Sequence, residues 1–132
     1  MKMIIGAKWA ANALLIGLGG LAGFHILLLM KVFPATVAWG GRVSQSSTDF
    51  IVLELIGLTV IALFAVIVAS KIGYLKLMKQ RQLVNIGVWV ICGYFALNIL
   101  GNLASMSGLE RAIFTPVSFV LALLALRLGL EK

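Results

Sequence analysis

A single cysteine, Cys92, in a chain of 132 residues excludes an intrachain disulfide and any cluster of thiolate metal ligands. The chain also has a single histidine, His25, and Glu54 is the one carboxylate lying more than a turn inside an apolar run. Together they fall short of the three or four ligands a zinc centre needs, so neither a metal nor another cofactor is expected. Charge is scarce as well, at 11% of residues with only four acidic ones, against about 25% charged in a soluble domain. Phosphate-cradling glycine loops, nucleophile elbows, paired catalytic carboxylates and zinc-protease helices are all missing, which disfavours a hydrolase and leaves a non-enzymatic role as the first expectation.

What is abundant is apolar surface. Residues of apolar type make up 62% of the chain, where about half is usual for a soluble domain. A span needs roughly 20 predominantly apolar residues to cross a hydrocarbon core of about 30 Å. Four such runs fit, from about 9 to 30, 50 to 70, 84 to 105 and 109 to 127. The fold class is therefore expected to be all-α, one polytopic membrane domain over residues 1–132 built as a bundle of four transmembrane helices. The first run is too long for the apolar region of a removable signal and reads as a retained helix.

The net charge of +7 speaks about orientation before it speaks about partners. Lys2 and Lys8 precede the first span, Lys71, Lys76, Lys79 and Arg81 lie between the second and third, and Arg127 and Lys132 follow the fourth. Only Lys31, Arg42 and Arg111 fall on the other side. The positive-inside rule then puts both termini and the middle loop in the cytoplasm. Topology accounts for the basic excess, membrane lipids are the expected surroundings, and no nucleic-acid partner is implied.

Two helix starts show in the chemistry. Ser107, Gly108, Leu109 and Glu110 match a capping box opening span four, and Pro116, about two turns in, predicts a kink by removing one amide and freeing the Ala112 carbonyl. Ser46, Ser47, Thr48 and Asp49 offer caps and a negative charge to the start of span two. The stretch from Phe33 to Arg42 is too broken by Pro34, Gly40 and Gly41 for a membrane helix and reads as an interfacial segment anchored by Trp39.

Polar groups inside a span are costly and each calls for a partner or a function. At 1.5 Å rise per residue, His25 and Glu54 lie about 8 and 6 Å below the outer ends of their spans, Asn98 and Asn102 about 10 and 4 Å, and Thr115 about 9 Å. All four helices thus contribute to one outer layer. Tyr94, Asn98, Asn102 and Ser105 follow a single stripe of about 80° on span three, and Arg111, Thr115, Ser118 and Ala122 a similar one on span four. Gly19 and Gly23 form a small-xxx-small pair open to contact within the chain or with a second copy as a homo-oligomer, while His25 points about 140° away from them.

The candidate ligand-binding residues are His25, Arg42, Glu54, Tyr94, Asn98, Asn102, Arg111 and Thr115. Each has a plainer reading beside it. Glu54, a candidate proton carrier or cation binder, competes with an ion pair to Arg42 or Arg111. His25 competes with a packed neutral imidazole. The asparagines compete with interhelical glue, and Tyr94 with space filling.

Trp39-Gly40-Gly41-Arg42, a glutamate early in span two, Gly101-Asn102, Glu110, Ile113-Phe114-Thr115-Pro116 and the run Leu121 to Leu128 together resemble a group of short, uncharacterised bacterial four-helix integral membrane proteins, over most of the chain from about residue 24. The resemblance implies that Arg42, Glu54, Asn102, Glu110, Thr115 and Pro116 belong to that signature, on the outer side of a bacterial inner membrane. It implies no activity. Three roles stay open: binding of a small amphiphile or lipid-like ligand in an outer polar pocket; proton- or cation-coupled transport through Glu54; and a structural or regulatory subunit that docks another membrane protein. Small multidrug transporters share the four helices and a membrane glutamate, but carry it in the first helix, where this chain has none.

Overall fold

The computed structural model describes residues 6–32, 48–76 and 80–131. Those residues are helical throughout their apolar runs. The helices are α1 (Ala7–Leu29), α2 (Thr48–Lys71), α3 (Arg81–Leu103) and α4 (Thr115–Gly129), with α4 entered through a π-helical turn over Glu110–Phe114. Each membrane-length helix holds 20 to 24 residues, so its length of about 30–36 Å matches a hydrocarbon core of about 30 Å. All four are long and apolar enough to cross a membrane, as a multi-pass membrane protein requires. The interfacial segment expected at 33–42, and Arg42 with it, lies outside the described residues.

Consecutive helices pack side by side and α4 closes back on α1, with α3 and α4 sharing the most extensive contact. The buried layer between them is built from branched and small side chains: Leu14 and Leu18 of α1, Val68 of α2, Ile91 of α3, Ala125 and Leu128 of α4. Outward positions such as Ile16, Leu97 and Leu100 are apolar and exposed. This apolar exterior suits lipid as the solvent, since helices that stay apolar all round belong in an apolar medium.

Glycines decide how closely some of these helices approach. A Cβ on Gly17 would lie 2.5 Å from Leu121 Cδ2, and one on Gly129 would lie 2.9 Å from the Trp89 ring. Gly19 and Gly23, the pair the spacing singled out, meet nothing within 4 Å. The small-residue contact of α1 with α4 therefore runs through Gly17. The rotation of α1 that turns Gly19 outward also turns His25 toward α2.

The kink expected at Pro116 takes a specific form. Thr115 N–H bonds to the Glu110 carbonyl, five residues back, and the Thr115 hydroxyl adds a second bond to the same oxygen at 3.3 Å. The helix widens into a π turn just before the proline, whose missing N–H already interrupts the α-helical ladder. Ser107 does cap the start, its hydroxyl accepting the Glu110 N–H at 3.4 Å.

Two helix ends use the same device. After α1, Lys31 N–H bonds to Leu28 O and Val32 N–H to Leu27 O, both at 3.0 Å. After α2, Gly73 N–H bonds to Ser70 O at 3.3 Å and Tyr74 N–H to Ala69 O at 2.9 Å. Both are Schellman closures needing a left-handed residue, supplied by Lys31 at φ 62° and Gly73 at φ 84°. At the end of the bundle where α1 begins and α4 finishes, Lys71 Nζ reaches Asn85 Oδ1 and the Glu131 carbonyl, and Tyr74 donates to Asn12 Oδ1 at 2.8 Å. These bonds tie α1, α2, α3 and the chain end together there.

Candidate functional site

The opposite end, where α1 and α3 finish and α2 and α4 begin, holds the polar layer. Glu54, two turns into α2, is 0% exposed, and its Oε2 lies 2.6 Å from Nδ1 of His25 on α1. The short contact is that of a charge-assisted hydrogen bond, which is how a membrane helix tolerates a buried carboxylate. One of the two readings of Glu54 pairs it with Arg42 or Arg111. Arg42 lies outside the described residues, whereas Arg111 sits exposed on the π turn with no ion pair to another described residue. Arg111 drops out of the site because the wider π turn carries its side chain to the outside of the bundle.

Beside this pair lies a cavity of about 230 Å³. His25 lines it, whereas Glu54 is not in the wall and contacts the imidazole. Tyr94, Asn98 and Asn102, one turn apart along α3, also line it, as the stripe on that helix predicted. Their roles differ. Asn102 Nδ2 donates to the Phe114 carbonyl at 3.1 Å and to the Ser118 hydroxyl at 2.9 Å, clipping α3 to the π turn and the first turn of α4. That use is structural glue. Asn98 has no hydrogen bond to another described residue, and neither does the Tyr94 hydroxyl, whose ring packs edge-on against Phe64 at 5.0 Å and Phe95 at 5.3 Å. Thr115 spends its hydroxyl on the Glu110 carbonyl and is not part of the wall.

Two contributions were not read as site residues from the sequence. Glu110, taken as half of a capping box, is only 7% exposed and lines the cavity together with Phe114, both from the π turn. The aromatic lining is the other: Phe24 packs on Phe114 with ring centres 4.8 Å apart, at one side, and Phe64, Tyr94 and Phe95 form a second cluster. The spacing Glu110, Phe114, Ser118 repeats every fourth residue and was available as a signal, but scattered phenylalanines in apolar spans look like ordinary packing. No residue set of metal-binding type, three or more His, Cys, Asp or Glu together, occurs among the described residues.

The arrangement can hold a molecule with an apolar body and a small polar part. Its walls are apolar, its polar groups are few and convergent, and a π turn of the kind often found at functional sites shapes one side. No family model matches this chain, and no match appears among curated proteins or among solved structures.

Proposed function

We propose that the protein binds a small amphiphile or lipid-like molecule in this cavity, at the extracytoplasmic side of a bacterial inner membrane, with both termini in the cytoplasm. The reading takes the chain as one of the short bacterial membrane proteins it resembles, and the charge bias of the loops supports the orientation. The observation that carries the binding role is Asn98: its amide lines a cavity within a membrane-length helix and makes no hydrogen bond to another described residue. Asn98 is half-buried, so its amide is open to whatever fills the cavity, and a polar guest gives it a hydrogen-bond partner.

The test is thermal unfolding of the purified protein against a panel of single-chain amphiphiles and lipid headgroup analogues. A binder should raise the unfolding midpoint of the wild-type chain. Asn98→Leu should abolish the rise, and Glu54→Gln should reduce it by altering the imidazole that faces the guest. A panel without any saturable stabilisation would overturn the reading.

A second reading is favoured by one observation, the buried His25–Glu54 contact at 2.6 Å. A histidine and a carboxylate sharing a hydrogen bond inside a span are the kind of pair that a small proton-coupled transporter uses. Proton-driven uptake by the protein in liposomes, lost in Glu54→Gln, would establish it. A chain that binds its ligand without flux would restrict the role to binding.

A further inference from the structure

The composition of the cavity wall narrows what fits inside it. Rings from three helices and the π turn line it: Phe24, Phe64, Tyr94, Phe95 and Phe114. They lie in tilted or edge-on pairs, Phe24–Phe114 at 54° and 4.8 Å, Phe64–Tyr94 at 80° and 5.0 Å, Tyr94–Phe95 at 85° and 5.3 Å. An alkyl chain gains only buried area from such a wall. A planar ring gains roughly 0.5–1.5 kcal/mol more for each well-placed aromatic neighbour, because ring edges and faces carry opposite partial charge.

The polar groups point to the substituents. Tyr94 and Asn98 lie four residues apart on α3, both line the cavity, and neither side chain is hydrogen-bonded to another described residue. A phenol hydroxyl and a carboxamide can each donate and accept, so both suit an oxygen on the guest, whether a carbonyl that accepts or a hydroxyl that does either. Charge on the guest is not favoured. Among the described residues no lysine or arginine lines the cavity to hold an anion, and although Glu110 stands in the wall, a cationic headgroup would have to leave water for a largely apolar site. Size sets the last limit, since about 230 Å³ is below the roughly 300–1,000 Å³ of sites for drug-sized molecules. A single ring fits that space.

We propose that the cavity takes an uncharged, planar, oxygen-bearing ring, the headgroup of a phenolic or quinone-type membrane amphiphile, seated among the five aromatic rings with its oxygen on Asn98 and Tyr94. This rests on the binding role proposed above and specifies its ligand class.

Calorimetric titration of the full-length chain in lipid nanodiscs, with empty nanodiscs subtracted, tests it using five probes of equal tail length. These are a decyl-substituted para-benzoquinone, para-decylphenol, decanol, decyltrimethylammonium and decyl phosphate. At least one ring probe should bind roughly tenfold more tightly than decanol, from the combined ring contacts. Which of the two ring probes binds more tightly separates the quinone from the phenol. Phe114→Leu and Phe24→Leu, which keep apolar volume but remove a ring, should weaken the ring probe by about two- to tenfold and leave decanol unchanged. The unfolding midpoints of the unliganded variants show that each is folded.

Equal affinity of decanol and the ring probes, with no effect of either phenylalanine substitution, would overturn the ring inference while leaving the binding role standing. Tightest binding of decyltrimethylammonium or decyl phosphate would overturn it on charge. If no probe binds and the wider amphiphile panel also fails, the binding role itself falls.

Discussion

His25 Nδ1 and Glu54 Oε2 lie 2.6 Å apart, joining the last two turns of α1 to the second turn of α2. Glu54 is fully buried and His25 lines the cavity. The pair offsets the cost of burying a carboxylate in an apolar helix and holds the imidazole in the cavity wall. Hydrogen bonds between membrane helices average about 0.6 and reach about 1.7 kcal/mol, and a charge-assisted buried pair belongs at the upper end. A double-mutant cycle of His25→Leu and Glu54→Leu, read by reversible unfolding in mild detergent, should give a coupling of about 1–2 kcal/mol. Additive single effects would show that the contact contributes no pairwise stability.

Asn102 and Asn98 look equivalent in sequence, four residues apart on one stripe, yet they should behave differently. Asn102 holds the Phe114 carbonyl and the buried Ser118 hydroxyl. Asn102→Leu should therefore cost about 1–2 kcal/mol of unfolding free energy. Asn98→Leu removes an amide with no hydrogen bond to another described residue, and should be neutral or stabilising in the absence of ligand. A larger loss at Asn98 than at Asn102 would reverse the assignment of binding and glue.

The glycines of α1 give a direct check on the rotation of that helix. Gly17→Leu drives a side chain into Leu121, where even a Cβ would come within 2.5 Å, and should cost about 1–3 kcal/mol by overpacking. Gly19→Leu enters open space and should stay within about 0.5 kcal/mol of wild type. The opposite order would mean that α1 presents its Gly19–Gly23 face to the bundle.

Lys31 sits at φ 62° in a closure that Gly73 makes at φ 84°. A left-handed conformation costs a residue with a Cβ roughly 1–2 kcal/mol, whereas glycine adopts it freely. Lys31→Gly should raise stability by up to about 1 kcal/mol, and Gly73→Ala should lower it by a similar amount. Thermal unfolding of the two variants side by side measures both.

Much of this molecule was legible in the sequence, because the signals concerned are local and additive. A run of apolar residues is long enough to span a membrane or it is not, so the four helices and their order could be read by counting. A serine three residues before Glu110 marked the start of the last span, and the hydroxyl does cap it. The stripe of Tyr94, Asn98, Asn102 and Ser105 followed from helical periodicity alone, and its first three members line one cavity while the Ser105 hydroxyl accepts the Ser107 N–H. What only the tertiary structure decided is how far each helix is turned about its own axis, since every helix here is apolar nearly all round and hydropathy carries no preferred face. That rotation puts Gly17 and not Gly19 against α4, brings His25 rather than Arg111 to Glu54, and sets the carboxylate behind the imidazole instead of in the cavity wall. The π turn belongs to the same class: Pro116 announced a break in the ladder, but the placing of Glu110 and Phe114 in the wall came from how the widened turn packs against α3. Composition could say that a polar layer exists, and packing alone decided which of its members line the cavity and which bond helix to helix.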